Sequence, residues 1–284
     1  MDGFLLINKR VGYTSREVSN QISRLLKTKK VGHIGTLDPF ADGLLIVMVN
    51  KATKASPFID DEIKRYRATI LLGQKTDSGD TEGKVILEKE GPTLNKEKII
   101  EVLNSFLGAS RQIPPMTSAV HVNGVRLYEL ARKGVEIKRD SRPIYVHDIS
   151  LVDYKDNKIT FEARVSKGTY IRVLGEDIAS KLNTVGHLIS LTRLEVGPFL
   201  LDEAIDIDEI NTNSFISIKD ALMRSADVLV INKEEELDIK NGKKLIYPYK
   251  SENQRLLIIN NDNEPIAMYT KNEKGQFVFK RGLF

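Results

Sequence analysis

The spacing of apolar and polar residues predicts a chain of two characters. Residues 4–7 read as a short strand. Thr14-Ser15-Arg16-Glu17 has the form of a capping box, with Thr14 as N-cap and Glu17 closing it, and the helix it opens would carry Val18, Ile22, Leu25 and Leu26 on one face. Residues 44–49 form an unbroken apolar run, the mark of a buried strand, and the segment before it, from Val31, reads as a loop punctuated by Gly32, Gly35, Pro39 and Gly43. Residues 63–72 alternate and then turn apolar, as a strand would. Residues 73–83 are a polar connection and 85–87 a further strand. Residues 95–107 predict an amphipathic helix with Ile99, Val102, Leu103 and Phe106 inward and Gly108 as its stop. Residues 112–119 are irregular and carry two prolines, and 128–133 predict a short basic helix. Strands are expected over 144–154 and 158–165, then a helix over 173–182.

After Asp202 the pattern changes. Residues 205–213 are acidic and loop-like, and 216–222 predict a short helix. Short strands then follow at 228–231, 256–259, 266–269 and 277–279, broken by turns such as Asn241-Gly242-Lys243. The expectation is an α+β domain over residues 1–222, large enough to bury its own core, and a small β-rich domain over 223–284.

Composition narrows the function classes. With 284 residues and 41% hydrophobic content the chain can hold a sizeable core, and no apolar run approaches the ~20 residues that cross a bilayer. Its start, MDGFLLINKR, has no basic region ahead of an apolar one and does not read as a signal peptide. The absence of cysteine excludes disulfides and thiolate metal sites and suits a reducing cytoplasm. The net charge of +4 is modest, but the basic residues are grouped: Arg24, Lys27, Lys29 and Lys30; Lys64, Arg65 and Arg67; Arg126, Arg132, Lys133, Lys138, Arg139 and Arg142. Such groups are solvated faces or phosphate contacts. Asp77, Asp80 and Glu82 suggest a calcium loop at first sight, but Glu82 stands where that loop needs glycine. The four histidines, at 33, 121, 147 and 187, lack metal-ligand spacing.

Asp38 is the residue most suggestive of chemistry. Pro39 biases it towards extended backbone, on a glycine-bearing loop before a buried strand. That placement suits a nucleophile or general base, and it equally suits a turn whose carboxylate caps its own backbone. The segment GHIGTLDPFADGLLIV resembles the central motif of the TruB family of tRNA pseudouridine synthases over about sixteen residues. Further resemblances lie in the NKRVGYTS stretch from Asn8, with Arg10 where the family has proline; in PPMTSAVHVNGVRLYELAR from Pro114, with His121 where the family has lysine; in SKGTYIR from Ser166; and in TRLEVG from Thr192. The C-terminal strands resemble, at the level of pattern, the family's PUA-like RNA-binding module.

The resemblance implies a pseudouridine synthase fold with a mixed, largely antiparallel central sheet, a C-terminal PUA-like domain over 223–284, and an RNA-clamping insertion at about 112–142. It implies isomerisation of uridine to pseudouridine in tRNA, at position 55 of the T arm, with no cofactor and no metal. Asp38 would be the nucleophile, Arg172 its ionic partner that keeps it charged by lowering its pKa, and Tyr66 a stacking residue and proton acceptor. His33 would fill the space left by the flipped nucleotide, and Tyr170 and Leu191 would line the pocket. Lys9, Lys64, Arg126 and Arg132 would contact substrate. The expected partner is the T-arm stem-loop of tRNA; no membrane or protein partner is implied, and a cytoplasmic monomer is expected. A non-catalytic RNA-binding or tRNA-folding protein on the same scaffold is the alternative. A glycosidase using Asp38 and Asp42 would leave the basic groups unexplained.

Overall fold

A computed structural model of the chain describes residues 1–118, 121–122, 125–127, 130, 134–243, 245–247 and 249–284, with backbone alone at 121, 122 and 126. The helix expected over 128–133, Arg132 and the side chain of Arg126 therefore lie outside the described residues.

The first strand, β1 (Gly3–Lys9), runs antiparallel to β3 (Asp42–Val49), with Lys9 opposite Gly43. Between them α1 (Ser15–Leu25) opens on the capping box, Thr14 and Glu17 satisfying each other's backbone N–H. β2 (Val31–Ile34) covers the far half of the other edge of β3, Val31 opposite Val49. β12 (Gly186–Val196) meets the near end in parallel, Thr192 opposite Asp42 and Arg193 opposite Gly43. The loop bearing Asp38 leaves the sheet in the gap between β2 and β12.

The sheet then continues antiparallel through β4 (Ile63–Leu72), β11 (Lys158–Ser166), β10 (Arg142–Lys155) and β7 (Gly108–Gln112). Alternation along β4 sends Tyr66, Ala68, Ile70 and Leu72 into a core shared with α2 (Lys96–Asn104) and α3 (Ile171–Lys181). Arg65 and Arg67 point the other way, both paired with Glu162 on β11. A hairpin of β5 (Gln74–Thr76) and β6 (Val85–Glu88) stands off this sheet.

The C-terminal stretch forms a second sheet from β14 (Asp227–Val230), β16 (Arg255–Ile259), β17 (Pro265–Lys271), β18 (Phe277–Gly282) and β15 (Ile246–Tyr247), in that order. It is not packed on itself alone. Leu257, Ile259, Met268 and Leu283 share one core with Phe4, Leu6, Ile46 and Met48, bridged by Ile218 and Leu222 of α4 (Ile218–Met223).

Several expectations shift. Val31 to Ile34 is paired strand rather than loop, because β3 offers an open edge there. Leu25 ends 53% exposed, and Leu26, four residues beyond the buried Ile22, takes the inward place. Gly108 ends the preceding turn with a φ of +93° but begins a strand. The β-rich region contains a helix, α5 (Lys233–Lys240), capped by Asn232 and Glu235, which its acidic composition had hidden. Among the described residues no helix is long and apolar enough to cross a membrane.

Candidate active site

The loop that carries Asp38 is held from below at three points. Ser15, wholly buried at the start of α1, accepts from the backbone N–H of Leu37 at 2.8 Å and donates to its carbonyl at 3.1 Å. The N–H of Gly12 donates to the Pro39 carbonyl at 2.8 Å, and that of Ala41 to the Asp38 carbonyl at 3.2 Å. Lys9 donates to the carbonyls of Tyr13 at 2.7 Å and Arg10 at 3.1 Å, and its ammonium reaches that of Pro39 at 3.5 Å. A side chain fixed by packing and hydrogen bonds on both flanks keeps its geometry when a ligand arrives.

Above this floor, Arg172 Nε lies 3.0 Å from Asp38 Oδ2. Helix α3 begins two residues earlier than its apolar pattern suggested, so Arg172 falls in its first turn and projects back over the cleft. Its Nη1 lies 3.3 Å from Asp80 Oδ2 and donates to the Ser78 carbonyl at 2.9 Å and to Thr117 Oγ1 at 2.7 Å. Asp80 is itself fixed by the hydroxyl of Ser78 at 2.5 Å and the N–H of Glu82 at 3.0 Å. Asp77, considered with it as a cation ligand, instead accepts from the N–H of Lys84 at 2.9 Å.

The balance of charge at Asp38 differs from the expectation. Solvent reaches about a third of the side chain through the cleft mouth, 35%, while protein crowds the rest. Burial pushes the Asp38 carboxyl above its ordinary value; Arg172 opposes this, Asp80 adds to it and Lys9 opposes it. Arg172 therefore limits the rise instead of setting a depressed value.

Tyr66 is buried in one apolar cluster with Leu37, Leu191 and Ile171. Burial raises the Tyr66 phenol, with the charge of Arg193 working against it. Tyr170 is N-cap of α3, and Gln112 fixes its backbone reciprocally, accepting from its N–H at 2.8 Å and donating to its carbonyl at 3.0 Å. His33 sits half-buried on β2, hydrogen-bonded through Nδ1 to Ser19 at 2.9 Å, and burial together with Arg193 and Arg16 holds its pKa down.

Two of the expected substrate contacts are internal. Lys9 is 0% exposed, and its ammonium is spent on the loop carbonyls; burial brings its pKa down to about 8, against the pull of Asp42 and Asp38. Lys64 is also buried, bonded to the Asp61 carbonyl and facing its carboxylate at 3.5 Å. Neither presents an ammonium to a polyanion, so both brace the site. Three residues near the centre were given no role: Asp80, weighed only as a metal ligand; Thr117, inside the irregular motif from Pro114; and Arg193, inside the TRLEVG motif, where a strand that also carries His187, Thr192 and Glu195 gives no sign that it is wholly buried.

A family model described as "TruB family pseudouridylate synthase (N terminal domain)" matches residues 23–171. The tRNA pseudouridine synthase B of Mesoplasma florum is 37% identical over 99% of this chain and 97% of its own. That of Hydrogenovibrio crunogenus is 41% identical over 86% and 82% respectively. The chain belongs to the TruB family of pseudouridylate synthases. It is accordingly an enzyme of the pseudouridine synthase class. The TruB-family fold extends to more distant structures: a chain of a Cbf5-Nop10-Gar1 complex superposes with a TM-score of 0.75 over 99% of this chain and 85% of its own, at 23% identity. The mixed, largely antiparallel sheet with a β-rich C-terminal part agrees with the fold expected from the sequence.

Proposed function

We propose that this TruB-family chain isomerises uridine to pseudouridine in tRNA, at U55 of the T-arm loop, with Asp38 as nucleophile. The observation that carries this reading is the 3.0 Å contact of Arg172 with Asp38, which stands on a clamped loop beside the apolar cluster of Leu37, Tyr66, Ile171 and Leu191. The target uridine would leave its stack, at a cost of a few kcal/mol, and enter between Asp38, Tyr66 and Leu191. Asp38 adds at ribose C1′ or at uracil C6, the N1–C1′ bond breaks, the base turns, and C5 joins C1′. C5 then loses its proton and N1 gains one, so no atom is gained or lost and no cofactor is required. Arg172 holds Asp38 in the reactive orientation, and Tyr66 is placed as the acceptor of the C5 proton.

The proposed partner is the T-arm stem-loop, gripped by the insertion of residues 112–142, with Arg126 and Arg132 on phosphates and residues 223–284 as a PUA-like module. The proposed setting is the cytoplasm, as a monomer. Incubating the protein with an unmodified tRNA and with the same tRNA carrying cytidine at position 55, followed by nucleoside analysis, tests the reading. Pseudouridine from the first and none from the second is expected. Pseudouridine from both would move the target, and none from either would defeat the assignment.

A further inference from the structure

Arg193 is the largest of the wholly buried side chains and has, among the described residues, no carboxylate within ion-pair reach. Burying a guanidinium costs several kcal/mol, and replacing such a group by a well-packed apolar one is commonly neutral or stabilising. Stability therefore does not account for it. Its position does give an account. β12 lies between β3 and β4, and Arg193 stands opposite Gly43 on one side and Tyr66 on the other. Residues directly opposed in a ladder share a face, so its side chain lies in reach of both neighbours.

On the β3 side, Nε donates to the Leu44 carbonyl and Nη2 to the Gly35 carbonyl, each at 2.8 Å. These two carbonyls flank the loop that carries Asp38. The glycines of the motif follow from this passage. A Cβ on Gly43 would stand 2.4 Å from the Arg193 carbonyl oxygen, and one on Gly35 would stand 3.2 Å from Nη1. On the β4 side, the guanidinium stands cross-strand from Tyr66, and its charge opposes the rise that burial imposes on the phenol, while its two hydrogen bonds go to backbone.

Resting on the proposed function, we infer that Arg193 is a positioning residue for the reaction: it ties the two ends of the Asp38 loop together and is the charge partner that lets the buried Tyr66 oxygen accept the C5 proton. In that step Tyr66 reacts as its phenolate, its own proton having first been given to solvent: the C5–H bond breaks after C5 has joined C1′, its electron pair returns to the ring, and the proton passes to the Tyr66 oxygen. The proton that Tyr66 later releases balances the one taken up at N1. A buried phenolate requires an adjacent cation, and Arg193, which among the described residues is in no ion pair with a carboxylate, is that cation.

The test compares Arg193→Met and Arg193→Lys with the parent, each with and without Tyr66→Phe. Arg193→Met removes the charge at similar length. Expected are unchanged stem-loop affinity and a single-turnover rate about 100-fold lower. The rise of that rate with pH should move up by roughly one unit or more. Adding Tyr66→Phe should cost much less in the Met background than in the parent. Arg193→Lys, which keeps the charge but cannot span both carbonyls, should be slow with the parent's pH profile. A parent-like rate in Arg193→Met overturns the inference. So does a loss that is equal at every pH and additive with Tyr66→Phe. If the Met variant does not fold, a shifted profile in Arg193→Lys overturns it and a parent profile supports it. If the parent makes no pseudouridine, the proposed function fails instead. The Arg193–Tyr66 coupling is then read without turnover, from the pH titration of carbon-13-labelled Tyr66. A titration that does not move in Arg193→Met overturns the inference.

Discussion

Thr117 Oγ1 accepts a 2.7 Å hydrogen bond from Arg172 Nη1, the nitrogen that also faces Asp80 at 3.3 Å. Thr117 stands at the root of the 112–142 insertion, so the segment proposed to grip RNA touches the group that orients the proposed nucleophile. Thr117→Val keeps the shape and removes the acceptor. A hydrogen bond to a charged group contributes about 1.5–3 kcal/mol, so single turnover should slow by about tenfold or more. Stem-loop affinity, measured alongside, should stay at the parent value.

Asp38→Asn should abolish turnover, because the amide is not a nucleophile, and should leave RNA binding intact. Its effect on stability has a definite sign. The folded-state pKa of Asp38 lies above the ordinary 3.8, so the native state favours the protonated form. That contribution to stability is complete below the unfolded pKa and is lost as pH rises through the folded one. Above its folded-state pKa the parent bears a partly buried charge that the asparagine variant does not. Thermal melts should show Asp38→Asn at least as stable as the parent above the folded-state pKa, the gap narrowing as pH falls through that value and closed below about 3.8. The acid limb of the parent's rate profile should lie above that same value.

Arg172→Lys keeps a positive charge and loses the planar fork that serves Asp38, Asp80, Ser78 and Thr117 at once. Turnover should fall by about 100-fold or more, the usual consequence of losing a preorganised donor. Asp80→Asn leaves Arg172 with Asp38 alone, so it should be impaired less than Arg172→Lys. Pre-steady-state rates of the two variants, ranked on one stem-loop, check the order.

A chain ended after Leu222 should not fold independently, contrary to what the length of residues 1–222 suggested. It would lose Leu257, Ile259, Met268 and Leu283, each no more than 4% exposed and packed on Phe4, Leu6, Ile46 and Met48. At about 1.5–3 kcal/mol for each buried aliphatic side chain, the loss is of the order of a whole domain's stability. Insolubility, or a melt without a cooperative transition, is the expected result; a cooperative melt near the parent's Tm would refute it.

Much of the strand framework could be read from apolar periodicity, since the alternation along β4 and the Thr14 cap are patterns written in adjacent residues. The contents of the cleft could be read only in part. Asp38 and Arg172 stood in motifs, but the buried state of Lys9 and Lys64 depends on the carbonyls of adjoining loops, Tyr13 and Asp61, and for Lys9 on Pro39 as well, whose turns periodicity does not encode. Asp80 and Thr117 reach Arg172 across 92 and 55 positions respectively, a proximity that only the packed sheet creates. The helix at Lys233–Lys240 was missed because it buries Ile239 and little else, leaving almost no apolar face to detect.

The core shared between β1, β3 and the C-terminal sheet also decides how this enzyme can measure a substrate. A module joined through solid packing cannot swing as a lever, because close-packed interiors deform little. The span from the Asp38 cleft to the far sheet is therefore a fixed ruler. An RNA that engages both ends must match that length itself, and the adjustment on binding falls to the RNA.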